Sequence, residues 1–504
     1  MEFSSPLLFF SVIWSCIHVV LVVSRKRPRR GRGHLPPGPL PIPIVGCLFK
    51  LGKKPNHSLL QLAKIHGPLM TVKLGSLTAV IASSSHMAKE ILQRHDQALS
   101  SRTVVDAVRV LGYAEASIAW VPPDARWRRL RLLCSTQLFT ARRLDASRSL
   151  RQHKVQELIA HVRRKCAAGQ AVNIGHAAFA TVLNLISNTV FSVDMVDPFS
   201  DSAQEFRDLV RGITEDMGEP NVVDYFPLLR RLDPQGVRRR MEARLQKLHT
   251  IFDRMIDERL RWRSLEKNPR KNDFLDAALD CSEESASELK RPDIKGLFVD
   301  IFTAGTDTTT STVEWAMAEL LHNPKAMETV RSEITSSIGS GQPVQESDIG
   351  RLPYLQAVVK ETFRLHPPAP LLPHKAESNA EICGFTIPKN TQVLVNAWAI
   401  GRDGESWVDP NSFRPERFLV SEQQRNISFE GHDFRLIPFG AGRRMCPGMP
   451  LADRMVHLML ASLLHCFAWK LPDGMSPEEL DMDDKFGITL QKAVPLLAMP
   501  IIQG

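Results

Sequence analysis

At 504 residues and 43% hydrophobic, the chain can bury a sizeable core, and no charge-poor linker rich in Pro, Gly and Ser divides its interior, so one large domain is expected. Its eight cysteines are scattered without paired spacing, which excludes a disulfide framework or a zinc site and points to a reducing compartment. The net charge of +9 does not indicate nucleic acid: Arg25, Lys26, Arg27, Arg29, Arg30 and Arg32 set against Glu2 supply five of it, leaving +4 for residues 33–504, where no basic helix with interleaved aromatics occurs.

The chain opens on a charge-free stretch, Pro6 to Val23, just long enough to cross a bilayer as a helix. A cleaved signal peptide is the rival reading, but Glu2 stands where lysines would be expected and no small-x-small cleavage site follows. The basic run from Arg25 to Arg32 comes directly after and keeps the C-terminal side cytosolic. Residues 1–24 are therefore expected to form a membrane anchor. The dense prolines of Leu35 to Pro43 suit neither helix nor central strand, so residues 25–43 read as a basic flank and a stiff hinge. The globular body is expected over residues 44–504.

Along the body, helical patterns dominate. Leu69 to Ala82 predicts a hairpin broken at Gly75-Ser76. Trp127 and Arg131 stand four apart on one face of an Arg-rich helix. Helices are predicted over Val155 to Arg164, Leu185 to Phe191 and Val237 to Arg263, with solvated loops at Lys267 to Asn272 and Cys281 to Lys290. The longest helix starts after Pro292 and ends at His322-Asn323-Pro324, spanning roughly 45 Å. Within it, Ala304-Gly305-Thr306-Asp307-Thr308-Thr309 is a poor helical sequence, because glycine and successive threonines weaken and bend the axis. A small pair, Ala304-Gly305, lets a flat ligand approach, and Asp307 with Thr308 could deliver protons through water.

Glu361 and Arg364 share one face of the next helical run, and Phe413 to Phe418 adds Arg417. Together they predict a buried, structural charge network. The run Phe439-Gly440-Ala-Gly442-Arg443-Arg444-Met-Cys446-Pro-Gly448 then surrounds one cysteine with what a haem-iron thiolate ligand needs. Its glycines permit tight, partly left-handed turns close to a flat macrocycle. Phe439 can cover the sulfur side, freed amides can point at the sulfur, and Arg444 can reach a haem carboxylate. Trp127 and Arg131 are expected beside Arg444 at the haem carboxylates, with His374 a further candidate. Cys446 is expected to bind the iron.

Taken together, these motifs resemble the cytochrome P-450 family of haem-thiolate monooxygenases, over essentially all of residues 1–504. The anchor and hinge are similar to the plant microsomal type. Asn221-Val-Val-Asp224-Tyr-Phe-Pro227, Asp233-Pro-Gln-Gly236, Glu314-Trp315-Ala316-Met317, Asn396 to Asp403 and Lys485 to Lys492 resemble the plant terpenoid hydroxylases of the geraniol 8-hydroxylase type. Cys47 and His374 depart from that pattern where asparagine and arginine are usual, and Ala107 to Pro123 departs more.

The resemblance implies a mainly α fold with small β-sheets (α+β), haem b (iron protoporphyrin IX), dioxygen, and electrons from NADPH-cytochrome P-450 reductase. It also implies a single-pass protein of the endoplasmic reticulum membrane with its catalytic domain on the cytosolic face. By the same resemblance the substrate pocket draws on Ile118, Phe298, Ile301, Phe302, Ala304, Ala369, Leu371, Leu372, Phe486 and Ile488. Such an apolar lining suits a hydrophobic molecule with at most a hydroxyl, such as a monoterpene alcohol or a related sesqui- or diterpenoid. A lipophilic alkaloid or phenolic precursor is the alternative substrate. Two other classes, a reductase-independent haem-thiolate isomerase and a non-catalytic haem-binding protein, are disfavoured because Asp307, Thr308 and an uninterrupted cysteine loop are all present.

Overall fold

The structure is a computed structural model that describes residues 34–196, 201–265, 269–283, 289–339, 341–421 and 425–502. The expected anchor, residues 1–24, lies outside them, as do 25–33 of the basic flank. The fold is mostly helical with four small sheets among the described residues.

The predicted hairpin forms as β1 (Leu69–Leu74) and β2 (Leu77–Ala82), closed at Leu74 opposite Leu77. Gly75 takes φ +56° in the two-residue turn, which suits a primed hairpin turn. β2 then pairs in parallel with β4 (Gln392–Asn396), which pairs antiparallel with β3 (Leu371–Lys375). Strand alternation places Leu372 and His374 together on one face of β3 and leaves Leu371 on the other. A three-stranded sheet of Val172–Asn173, Leu497–Ile502 and Phe467–Lys470 closes the far side.

Seven helices carry the argument: α1 (Ala125–Leu138), α2 (Ile174–Phe191), α3 (Asp201–Gly218), α4 (Val237–Ser264), α5 (Arg291–His322), α6 (Pro353–Leu365) and α7 (Met449–Cys466). α5 crosses the largest core cluster and is buried along most of its length. Its start follows from Pro292 in the first turn and from Asp293, whose carboxylate accepts from the Lys290 amide at 2.9 Å. Among the described residues, α2 alone is long and apolar enough to cross a membrane, but it is mostly buried against the core. The expected loop from Cys281 is corrected: Phe274–Glu283 is a helix that takes in Cys281, because Phe274, Leu275, Ala278 and Leu279 bury one face at helical spacing.

Candidate active site

The cysteine loop is built by glycine. Gly440 and Gly442 have φ of +70° and +66°, the left-handed region that favours glycine. A methyl group at 442 would come 2.2 Å from the Leu92 carbonyl oxygen, so no other residue fits there. Gly448 differs from expectation, with an ordinary φ of −83° as the residue capping α7. Its role is instead electrostatic: the amides of Gly448 and Met449 point at the Cys446 sulfur from the start of an 18-residue helix. Burial pushes the Cys446 thiol up, and these amides together with Arg131 and Arg102 oppose that rise. The Cys446 amide donates to the Phe439 carbonyl at 2.9 Å, closing the loop. The Phe439 ring packs on Phe363 and Phe429 at centroid distances of 5.3 and 5.5 Å.

Cys446 sits deep among protein atoms and yet is exposed, so it stands at the wall of an internal chamber. α5 shows the same signature. In the middle of a helix that is otherwise buried, Ala304 is exposed and Ile301, Gly305 and Thr308 are half-buried, an open stripe at helical spacing. The Thr308 hydroxyl donates to the Ala304 carbonyl at 2.8 Å, and Thr303, Thr306 and Thr312 make the same backward bond. Two expected pocket residues are corrected here. Phe298 and Phe302 are fully buried in an aromatic cluster with Phe191 and Phe252, so neither ring opens onto that stripe.

Trp127, Arg131 and Arg444 do come together, with the Arg444 guanidinium 4.8 Å and the Arg131 guanidinium 5.4 Å from the Trp127 ring centre. Their donors are partly occupied by the chain itself. Trp127 Nε1 donates to the Ile118 carbonyl at 3.1 Å, and Arg444 donates to the carbonyls of Ser100, Ile118 and Val121. Arg131 donates to the Met445 carbonyl, next to Cys446. His374 is buried and hydrogen-bonded through Nδ1 to the Leu99 carbonyl at 2.9 Å, and burial, reinforced by Arg102 and Arg444, lowers its pKa to about 3. It is therefore neutral, and it lies within reach of the charges of the same cationic cluster.

Arg102 is the member that sequence reasoning missed. Its Nε is buried without a hydrogen-bond partner, and burial lowers its pKa to about 10, with attraction to Asp300 opposing the fall and repulsion from Arg131 adding to it. Arg444 is likewise lowered by burial, to about 9. Among the described residues, no carboxylate lies within ion-pairing distance of Arg102, Arg131 or Arg444. Three crowded guanidiniums with one orphaned donor, beside an exposed thiol, fit a flat ligand that carries two carboxylates and an iron. Nothing in the local sequence at Ser101-Arg102-Thr103 marks this position; only the fold brings it here.

The other expected residues divide. Leu372 approaches the cysteine loop, 4.0 Å from where a methyl at Gly440 would lie, and Ala369 packs in the same cluster. Leu371 packs instead against the Met70 and Ile81 cluster. Asp307 follows Ala304 by three residues, about 60° further round α5, and is buried, with Gln491 Nε2 donating to its two oxygens at 2.9 and 3.0 Å. Burial raises its pKa, and hydrogen bonds from Thr489 and Gln491 oppose that. It lines a cavity of about 270 Å³ that also takes in Glu215, Lys485, Phe486 and Ile488. At the rim Lys485 pairs with Glu215 at 2.8 Å.

The predicted charge network is present and buried. Glu361 accepts from Arg364 at 2.7 and 2.8 Å, from Arg417 at 2.9 Å and from the Arg414 amide at 2.8 Å. Arg364 also donates to the carbonyls of Gly401, Pro410 and Ser412, which ties α6 to the chain ahead of the cysteine loop.

Residues 36–497 match the model of the cytochrome P-450 family. The chain is 52% identical to a geraniol 8-hydroxylase of Catharanthus roseus, over 93% of this chain and 94% of that one. It is 52% identical to a geraniol 8-hydroxylase of Swertia mussotii, over 92% and 93%. A drimenol monooxygenase of Persicaria hydropiper is 48% identical over 98% of each chain.

Proposed function

The chain belongs to the cytochrome P-450 family of monooxygenases, and from that premise we propose that it hydroxylates a terpenoid, with a monoterpene alcohol as the first choice and a related sesqui- or diterpenoid next. The observation that carries this reading is the open stripe Ile301, Ala304, Thr308, whose only polar group is a hydroxyl. The relatives named as geraniol and drimenol oxidising enzymes support the substrate class. Incubation with reductase, NADPH and a panel of terpene alcohols tests it. A hydroxylated terpenoid that needs both reductase and NADPH is expected; product from an alkaloid or phenolic panel alone would favour the alternative.

Haem b, held by Cys446 and by Arg102, Trp127, Arg131, His374 and Arg444, would supply dioxygen activation. The chain's own work is to hold and tune. Gly448 and Met449 amides and the start of α7 stabilise a thiolate at Cys446. The cationic cluster would hold two carboxylates by charge-assisted hydrogen bonds. Ala304 would leave room over the ring, whereas the missing side chain of Gly305 admits Ile186 of α2, and Thr308 would place a hydroxyl for an ordered water at that face. Asp307, beside Thr308 on α5, would connect this water through the 270 Å³ cavity and the Lys485–Glu215 pair to bulk protons. Asp307→Asn is accordingly expected to slow NADPH oxidation and product formation together, by about 10²-fold, while leaving product per NADPH near wild type. Stopped turnover with oxygen, NADPH and product measured in parallel checks this.

Electrons would come from NADPH-cytochrome P-450 reductase, drawn to the basic face that Arg128, Arg129 and Arg443 expose. Residues 1–24 would anchor the protein in the endoplasmic reticulum membrane. A contiguous surface would rest on the same membrane: Gly75 bonds to the Val45 carbonyl, Ser76 bonds to the Tyr225 carbonyl, and Ile44, Phe49 and Leu228 around them are largely exposed. Deletion of residues 1–30 is expected to release much of the protein from membranes with haem content unchanged. Sedimentation and haem assay of the truncated protein measure both.

A further inference from the structure

Residues 113–120 lie within the stretch, Ala107 to Pro123, that departs most from the terpenoid-hydroxylase pattern, and a single carboxylate ties them to α5. Asp300 Oδ1 accepts from the Tyr113 hydroxyl and from Ser117 Oγ, each at 2.7 Å, and Oδ2 accepts from the Ile118 amide at 2.7 Å. Asp300, Tyr113 and Ser117 are all buried. Among the described residues Asp300 makes no ion pair, so these donors satisfy a charge that would otherwise be costly to bury. One turn earlier the segment lies directly on the helix: a methyl at Gly296 would meet Ala116 Cβ at 2.5 Å and the Ala116 carbonyl oxygen at 2.8 Å. One turn later stands Ala304, on the open stripe.

Ile118 is held from both sides. Its amide goes to Asp300 on α5, while its carbonyl accepts from Trp127 on α1 at 3.1 Å and from Arg444 in the cysteine loop at 2.9 Å. Its side chain is half-buried beside these groups. One residue therefore links the helix that carries Thr308 to the loop that carries Cys446.

We propose that Asp300 is a positioning residue that decides where the substrate is oxidised: by clamping residues 113–120 onto α5 it fixes Ile118, and with it the orientation in which an apolar substrate lies beside the stripe. This rests on the monooxygenase reading above. Asp300→Asn keeps the shape but must offer a donor where three donors converge, and Asp300→Ala removes the clamp outright. Tyr113→Phe combined with Ser117→Ala loosens the same clamp from the loop side and leaves α5 intact.

Two readouts on the full-length holoenzyme separate this role from a merely structural one. Amide hydrogen exchange over residues 113–120 should accelerate by about tenfold in Asp300→Ala and in the Tyr113/Ser117 double variant. With reductase and geraniol as the probe, the ratio of products oxidised at different carbons should shift by about three- to tenfold in the same variants. The haem-thiolate signal should stay at wild-type intensity. Should Asp300→Ala lose haem, the double variant decides the matter. Unchanged exchange overturns the clamp, and faster exchange with an unchanged product ratio overturns its role in selectivity. A wild-type enzyme that gives no product from geraniol defeats the substrate reading instead, and the exchange result still decides whether the clamp exists.

Discussion

Glu361→Ala is expected to destabilise the protein by about 3–5 kcal/mol, because it strands two buried guanidiniums. Arg364 and Glu361 are both fully buried, and Arg417 is nearly so. Neither arginine can give up its charge, and water does not reach Arg364. Their remaining partners are carbonyls, which satisfy hydrogen bonds without neutralising charge. Against a total stability of about 5–15 kcal/mol, a loss of this size removes a large share. Glu361→Gln should recover little, since it keeps the volume and one acceptor but not the charge. Thermal unfolding and haem retention of the two variants, compared with Lys360→Ala on the neighbouring position, provide the check. Variants that melt with the wild type would show that the network is dispensable.

Thr308→Ala should divide NADPH consumption from product. Haem content and substrate affinity are expected to change little, since the substitution removes one hydroxyl from the stripe and leaves the α5 backbone intact. NADPH oxidation should continue, with more of it ending as hydrogen peroxide. General acid–base contributions run to roughly 10²–10⁴-fold, and water can partly replace the lost hydroxyl, so a loss near the lower end is expected in product formed. The contrast with Asp307→Asn follows from geometry. Thr308 lies on the open stripe, whereas Asp307, turned about 100° from it, is buried against Gln491 and the 270 Å³ cavity. Full product per NADPH in Thr308→Ala would leave the threonine only its backward hydrogen bond to Ala304.

Some of this was legible in the sequence and some was not, for physical reasons. The cysteine loop was readable because Gly440 and Gly442 need backbone conformations that other residues adopt only at a cost, and such needs leave fixed spacing. Glu361 and Arg364 were readable because three residues on a helix share a face. Phe298 and Phe302 were misplaced because the apolar face of a helix looks the same whether it meets a core or a substrate. Only the packing of Phe191 and Phe252 decides between them. The divergence of Asp307 and Thr308 was hidden in the motif, although consecutive helical residues point about 100° apart. Arg102 and the Asp300 clamp depend on contacts between segments remote in the chain, so no local pattern announces them.

The claim on which the rest depends is that Cys446 is the thiolate that binds haem iron, and the absorption spectrum of the reduced protein with carbon monoxide tests it most directly. The wild-type protein should show the long-wavelength band of haem-thiolate proteins, Cys446→Ala should lose it, and Cys134→Ala and Cys383→Ala should keep it. Cys134 is buried in the core and Cys383 lies exposed in a surface turn, so neither offers an alternative ligand at the chamber. An intact band in Cys446→Ala would contradict the account at its centre.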